Sequence, residues 1–249
     1  MIGMSRSSIW KLTLREEGSK VSDIRPEGAA GMEKRNYQRE MEAEIERLEG
    51  RKPSLLLHSC CGPCSSAVLE RICDCFHVTV LYYNPNIEPE EEYLHRLSEQ
   101  KRLLSLLPGN IPLLPCEYDH RAFDAFAPAM ADAPEGGERC LACFALRMNY
   151  TAEQAKEHEF EYFTTTLSVS PHKNADNVNR IGEEAGKKYG VKYLFADFKK
   201  KNGYLRSLQL SKEYGLYRQD YCGCRYSIHN DSSLEGVGQA TFTGILPGK

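Results

Sequence analysis

The residues of this chain with the clearest chemical potential are its ten cysteines, which are unevenly spaced along 249 residues. Seven of them fall into three short groups: CCGPC at 60–64, CLAC at 140–143 and CGC at 222–224. In a reducing compartment, closely spaced thiols bind metal ions or act as redox pairs. Because three such groups occur in one chain, we expect at least two of them to converge on one metal or redox site.

The remaining thiols, Cys73, Cys75 and Cys116, have apolar neighbours. The first two lie in a helical stretch, VLERICDCF, and Cys116 ends the apolar run IPLLPC. A cysteine in such surroundings behaves as a small hydrophobic residue. We therefore expect these three to pack in the core.

Spacing alone leaves the identity of the metal open. Zinc needs four ligands, and the pairs Cys61–Cys64 and Cys140–Cys143 supply that number. Seven grouped thiols exceed the need of one zinc ion, whereas iron–sulfur clusters accept more thiolates in several geometries. The spacing favours an iron–sulfur site, with a zinc site and a metal-free dithiol relay as alternatives.

These thiols must be positioned by a chain in which strand and helix patterns alternate. Such alternation predicts an α/β fold, a parallel sheet with helices on both faces. The predicted strands are 54–59, 77–84, 111–119, 161–166 and 191–196. The predicted helices are 36–50, 65–76, 88–107, 140–158, 174–189 and 203–215, with a broken helix at 122–130.

The CCGPC group directly follows the first strand and opens the next helix, where a phosphate-binding loop lies in nucleotide-binding proteins. The positive end of a helix lowers the pKa of a thiol and so favours metal binding. YNPN (83–86) follows the second strand and TTTLSVSPHKN (164–174) the fourth. We expect these three segments to border one cleft at the carboxyl edge of the sheet.

The composition is ordinary for a soluble globular protein, with 41% hydrophobic and 27% charged residues and a net charge of −3. No run of 18 apolar residues occurs, which excludes a membrane-spanning helix. The first residues lack an apolar signal core, so we expect no secretory signal and a cytoplasmic location. We expect an N-terminal arm and helix (1–50), a catalytic domain (51–225) and a C-terminal appendage (226–249).

Five segments in order carry a family resemblance. They are HSCCGPCSS (58–66), YNPNIEPEEEYLHR (83–96), ERCLACFALR (138–147), TTTLSVSPHKN (164–174) and LSKEYGLYRQDYCGC (210–224). Together they resemble the QueH type of epoxyqueuosine reductase. The resemblance implies a Rossmann-like (HUP-type) fold and removal of the epoxide oxygen of epoxyqueuosine in tRNA to give queuosine. It further implies a 4Fe-4S cluster, an additional iron ion, and as partners tRNA and an external electron donor, with neither DNA nor a membrane.

The resemblance also implies roles for individual cysteines. Cys60, Cys61, Cys140 and Cys143 correspond to cluster and iron ligands. Cys64 takes a position where some members carry a metal-ligating Asp, which makes it a further candidate ligand. The CGC pair has two alternatives: Cys222 is a ligand, or Cys222 and Cys224 form a redox pair able to make a disulfide bond.

Conversion of an epoxide to an alkene consumes two electrons and two protons and releases water, so the site needs a proton donor. His58 is our leading candidate because it precedes the cysteine turn, and Tyr221 is the second. The alternatives are a hydrogen-bonded histidine at a strand end and a tyrosine in the cleft wall.

Binding of tRNA requires positive surface, and residues 187–225 carry ten Lys or Arg against three acids. Tyr and Phe alternate with these bases, as in surfaces that contact phosphates and stack on nucleobases. We expect Lys199, Lys200, Lys201 and Arg206 to contact tRNA, the alternative being a solvated helix face.

Two other classes of function stay open on sequence. One is a thiol-disulfide oxidoreductase, which predicts a colourless protein with reactive Cys222 and Cys224. The other is a zinc-stabilised RNA-binding module, which predicts about one bound zinc ion and no iron.

Overall fold

In the computed structural model, which describes residues 35–228, the centre of the molecule is a parallel sheet. Its strands are β1 (Ser54–His58), β2 (His77–Leu81), β3 (Leu113–Leu114), β4 (Tyr162–Thr165) and β5 (Lys192–Tyr193). They are arranged in the order β3-β2-β1-β4-β5. The helices are α1 (Tyr37–Arg47), α2 (Gly62–Ile72), α3 (Glu90–Leu106), α4 (His120–Asp124), α5 (Glu138–Glu157), α6 (Ala175–Tyr189) and α7 (Gly203–Glu213). Short 3₁₀ helices span Ala127–Met130, Thr166–Val169 and Arg225–Ser227.

The central strand β1 explains why helices cover both faces of the sheet. Leu55, Leu56 and Leu57 are fully buried, and successive side chains of a strand point to opposite faces. Leu55 and Leu57 pack in one apolar cluster with Val68 and other residues of α2. Leu56 packs in a second cluster with Met148 of α5 and with α6. The predicted Rossmann-like parallel α/β fold is confirmed.

The edge strands are shorter than predicted, and β3 shows why. The sequence pattern predicts a strand over 111–119, whereas only Leu113 and Leu114 pair with β2. Pro112 and Pro115 flank these two residues and have no backbone N–H to donate to a sheet ladder. The pairing therefore stops on both sides.

Helix α2 begins three residues earlier than predicted, so part of the cysteine turn belongs to it. The helix starts at Gly62, and Pro63 lies in its first turn, where the missing proline N–H is not needed. Cys64 is thus a helical residue. At the other end α2 stops at Ile72, so Cys73 and Cys75 lie beyond the helix in which they were predicted.

The helix predicted at 36–50 is present as α1, and it packs on the sheet through Met41 and Leu48. The side chain of Asn36 caps it by accepting a hydrogen bond from the Arg39 N–H at 3.2 Å. The rest of the predicted arm and most of the predicted C-terminal appendage lie outside the described residues. Within residues 35–228, no helix combines the length and the apolarity needed to cross a bilayer.

Candidate metal centre

A cavity of about 320 Å³ lies where the loops after β1 and β4 meet the C-terminal part of the described chain. The thiols of Cys60, Cys64 and Cys222 line it, together with Arg147 and Lys173. Cys60 and Cys64 follow β1, and Lys173 follows β4. The cavity therefore occupies the carboxyl edge of the sheet, where ligands bind in open α/β folds.

The CCGPC turn brings three thiols to one point. The Sγ atoms of Cys60, Cys61 and Cys64 all lie within 4.8 Å of one another. The Sγ atoms of Cys60 and Cys61 are 3.9 Å apart. Two thiolates bound to one tetrahedral ion at about 2.3 Å are separated by about 3.8 Å. These thiols thus have nearly the spacing that a single bound metal ion requires.

Buried hydrogen bonds fix the turn that carries these thiols. Ser59 Oγ donates to Gln100 Oε1 at 2.7 Å, and Ser65 Oγ lies 2.9 Å from the same oxygen. Asn84 Nδ2 donates to the carbonyl oxygen of Ser59 at 2.8 Å. The turn is therefore tied to α3 and to the YNPN loop, as expected for segments that border one cleft.

The electrostatics of the three thiols favour one negative charge on Cys60. Hydrogen bonds from Cys61 and Cys64 lower the pKa of Cys60 well below its usual range, and Lys173 and Thr166 contribute in the same direction. The same hydrogen bond to Cys60 raises the pKa of Cys61 to about 12, and the pKa of Cys64 is also raised. Metal binding would replace these thiol protons.

The second group of thiols comes from α5 and from the CGC loop. Burial raises the pKa of Cys143 to about 12, and the neighbouring thiols of Cys222, Cys224 and Cys140 add to this effect. The four thiols are thus electrostatic neighbours. Among residues 35–228, however, only Cys60, Cys61 and Cys64 form a set whose ligand atoms all lie within 4.8 Å. The ligand roles of Cys140, Cys143 and Cys222 stay predictions.

The CGC loop directs its two thiols differently. Cys222 lines the cavity. Cys224 is 8% exposed and packs with Phe123, Ala127 and Cys143. Gly223 lies between them at φ +124°, a left-handed conformation that L side chains rarely adopt. All ten cysteines are free thiols in the structure.

Arginine 96 holds this loop against α3. Its side chain is 2% exposed and donates to the carbonyl oxygens of Cys222 at 3.3 Å and Tyr221 at 3.4 Å. Glu92 pairs with the same guanidinium at 2.6 Å. The motif 83–96 thus contributes both a cavity-edge loop and the arginine that fastens the opposite wall.

The two predicted proton donors have different surroundings. His58 is fully buried, with Nδ1 2.9 Å from Thr165 Oγ1 and Nε2 3.0 Å from the Tyr83 carbonyl oxygen. Burial, and then Arg147, lowers the pKa of His58 to about 3, so this histidine is neutral. Tyr221 lines the cavity, and its hydroxyl donates to the Glu88 carbonyl oxygen at 2.8 Å.

Of the residues predicted to contact tRNA, the three lysines lie between β5 and α7 and Arg206 lies in the first turn of α7. Three of the four are paired with carboxylates. Lys199 Nζ lies 2.7 Å from Asp197 Oδ1, and Lys201 pairs with Glu42. Arg206 pairs with Glu70 at 2.6 Å. Lys200 is exposed and stands outside these three pairs. The local charge is therefore less positive than the sequence count suggests.

The three cysteines predicted to be core residues are half-buried. Cys73 and Cys75 pack against the cluster that contains Leu55, and Cys116 packs against the cluster that contains Leu56. The Cys116 thiol donates to the Tyr82 carbonyl oxygen at 2.9 Å. They contribute to packing from the periphery of the core.

Two cationic residues of the cavity, Arg147 and Lys173, were not singled out in the sequence. Arg147 lies one helical turn beyond Cys143, and its spacing from Cys140 and Cys143 on α5 was a usable signal. Lys173 ends the SPHK run after β4, in a segment that the family resemblance includes. Neighbouring thiols raise the pKa of Lys173 against the opposing effect of burial, so its ammonium group stays charged.

A thiolate-held metal fits the residues present. Thiolates are preferred ligands of zinc, copper(I) and iron–sulfur clusters, and three thiols already lie within reach of one ion. Two cations, the buried Arg147 and the half-buried Lys173, would balance the negative charge of several thiolates. The geometry of these thiols supports metal binding.

Comparison with known proteins identifies what this arrangement resembles. A family model described as "Epoxyqueuosine reductase QueH" matches residues 55–230. "Epoxyqueuosine reductase QueH" of Streptococcus pyogenes serotype M1 is 40% identical over 211 residues, covering 82% of this chain and 81% of that protein. The protein of the same name from Staphylococcus epidermidis is 37% identical over 203 residues, covering 78% of this chain and 85% of that protein. The one from Thermotoga maritima is 35% identical over 181 residues, covering 70% of this chain and 90% of that protein.

Proposed function

This chain belongs to the epoxyqueuosine reductase QueH family, and on that premise we propose that it removes the epoxide oxygen of epoxyqueuosine in tRNA to give queuosine. The observation that carries the proposal is the convergence of Cys60, Cys61 and Cys64 at the cavity. The reaction takes place in the cytoplasm, where tRNA is modified.

The reaction adds two electrons and two protons to the epoxide, breaks both carbon–oxygen bonds and releases water. Zinc is redox-inert and supplies no electrons. A bound 4Fe-4S cluster, with an additional iron ion, would supply electrons singly from an external donor. We propose Cys60, Cys61, Cys140 and Cys143 as its ligands, with Cys64 and Cys222 as candidates for the additional ion.

The chain's own residues have separate tasks in this proposal. Lys173 and Arg147 hold positive charge beside the thiolates that line the cavity. Tyr221 is the better placed of the two predicted proton donors, because it lines the cavity and His58 does not. His58 instead joins β1 to β4 and to Tyr83, in the loop after β2.

We further propose that the strip containing Lys199, Lys200, Lys201 and Arg206 contacts the tRNA backbone. Phe198 and Lys199 hydrogen-bond to Ser168, which follows β4, so this strip lies near the carboxyl edge of the sheet. Tyr204 and Ser207 extend from the start of α7 to the cavity wall. A strand of RNA bound along the strip would lead toward the cavity.

Anaerobic purification tests the proposal. We expect a brown protein with iron and acid-labile sulfide, which converts epoxyqueuosine in tRNA to queuosine when a chemical reductant is added. Cys140→Ser should lose iron and turnover, whereas Cys75→Ser, a half-buried thiol outside the cavity, should keep both. One zinc ion per chain without iron would indicate the RNA-binding module instead. A colourless, metal-free protein that reduces protein disulfides would indicate the oxidoreductase.

A further inference from the structure

Helix α5 places Arg147 on the same face as two cysteines. Residues 140, 143 and 147 are spaced i, i+3 and i+7, so their side chains follow one stripe of the helix. Arg147 is 2% exposed and lines the cavity beside Cys60 and Cys222. A buried guanidinium therefore stands between the two groups of thiols.

The hydrogen bonds of Arg147 are incomplete. Its Nε donates to the Cys143 carbonyl oxygen at 3.2 Å, but the buried Nη2 has no hydrogen-bond partner in residues 35–228. A buried charged donor without an acceptor is unfavourable, because the group has lost its hydrogen bonds to water without replacing them. The buried Arg139 of the same helix differs at its guanidinium end: its Nη1 donates to three backbone carbonyl oxygens, although its Nε also lacks a partner among residues 35–228.

The charges around Arg147 indicate what its partner is. Burial alone would lower the pKa of the guanidinium, and the thiols of Cys143, Cys222, Cys60 and Cys140 outweigh burial and raise it. These thiols belong to both cysteine groups. An acceptor that carries negative charge and lies at the centre of these thiols would satisfy Nη2.

We propose that Arg147 is a positioning residue. Its Nη2 donates a hydrogen bond to a sulfur atom of the thiolate-held centre, and its charge stabilises the reduced, more negative form of that centre. The inference rests on the proposed function. Net charge and hydrogen bonds to sulfur both set the reduction potential of iron–sulfur centres. A fixed positive charge with a donated hydrogen bond makes the uptake of one electron from an external donor easier.

The test is a redox titration of the anaerobically purified protein with dithionite, monitored by absorbance and electron paramagnetic resonance. For Arg147→Gln we expect the equilibrium for one-electron reduction to be at least about tenfold less favourable, a potential about 59 mV more negative. Arg147→Lys keeps the charge and should stay within about threefold of the wild type. Lys156→Gln removes an exposed charge from the same helix and should change nothing.

The outcomes separate the two proposals. A wild-type protein without iron contradicts the proposed function. If the wild-type protein contains iron and Arg147→Gln has the same reduction potential, the role of Arg147 is overturned and the proposed function is unaffected. If circular dichroism shows that Arg147→Gln is folded but the variant does not retain iron, the Arg147→Lys variant decides whether the proposal holds. A lysine variant that retains iron near the wild-type potential supports the proposal, and one that folds without iron contradicts it.

Discussion

The backbone N–H of Glu88 donates to the carbonyl oxygen of Gly223 at 2.9 Å, so the loop after β2 and the CGC loop are joined directly. A side chain at position 223 would disturb this junction, because a Cβ there would lie 2.8 Å from Ile87 Cγ1 and 3.3 Å from Arg96 Nη1. The junction holds the residue next to Cys222, whose thiol lines the cavity.

Gly223→Ala should therefore lower both stability and metal retention. Because residue 223 has a left-handed φ of +124° and close contacts, we expect the substitution to lower the free energy of unfolding by about 1–3 kcal/mol. Gly215→Ala is the matched control, since Gly215 also has a positive φ, +59°, but nothing within 4 Å of the added carbon. Urea denaturation and iron analysis measure the two effects, and equal losses in both variants would contradict the steric argument.

The thiols on either side of Gly223 should differ in reactivity. Cys224 is packed in an apolar cluster, and burial raises its pKa, whereas Cys222 lines the cavity. In reduced, metal-free protein we expect iodoacetamide to modify Cys222 about tenfold faster than Cys224. Peptide mass mapping over time measures both rates, with buried Cys143 as an internal reference. Equal rates for Cys222 and Cys224 would show that the loop does not separate them.

Glu99 should give the protein a measurable sensitivity to acid. Hydrogen bonds from Arg102 lower the pKa of Glu99 from 4.5 to about 2, with a contribution from the Tyr217 N–H. Because the folded pKa is depressed, the stabilisation is complete above about pH 4.5 and is lost as the pH falls toward 2. The Glu99 side chain is 15% exposed and its partner Arg102 is 39% exposed, so solvent screens the pair and we expect this carboxylate to contribute no more than about 2 kcal/mol to the free energy of unfolding.

Glu99→Gln should therefore have a lower free energy of unfolding than the wild type at pH 7. Near pH 2 the two proteins should have the same free energy of unfolding. Glu91→Gln on the same helix, where the side chain is exposed, is the control and should stay within about 0.5 kcal/mol. Denaturant titrations at several pH values measure the difference. A difference between wild type and Glu99→Gln that does not depend on pH would refute the charge argument.

The proposed tRNA strip predicts an order among its lysines. Lys201 is paired with Glu42, whereas Lys200 is exposed and outside that pair, so Lys200→Ala should weaken tRNA binding more than Lys201→Ala. Loss of one phosphate contact should reduce the slope of log K against log salt by about 0.7 to 0.9. Filter binding at several salt concentrations tests this, with Lys156→Ala as the control. Binding by Lys200→Ala with an unchanged salt slope would exclude the strip.

Local patterns allowed most of the architecture to be predicted from sequence. The run Leu55–Leu57 is apolar at every position because both faces of β1 are covered, and that marks a central parallel strand. Pro63 indicates a helix start, yet the strand-to-helix boundary was misjudged by three residues because glycine and proline are typical of turns as well.

The candidate site was predictable in its residue types but not in its contacts. The CCGPC and CGC groups both supply thiols to the cavity wall, and the CLAC group lies in the first turns of α5, the helix that contributes Arg147. The incomplete hydrogen bonding of Arg147, the neutral state of His58 and the carboxylate partners of Arg206 depend on groups far away in sequence. Composition and spacing carry no information about those distances.

The residues that line the cavity are translated at different times. The three thiols of residues 60–64 emerge from the ribosome early, Arg147 and Lys173 follow, and Cys222 comes near the end of the described chain. In the nascent chain, the turn that carries Cys60, Cys61 and Cys64 thus exists long before the wall that contains Cys222. For the proposed metal centre, the full set of cavity walls is therefore available only once the CGC loop has been translated.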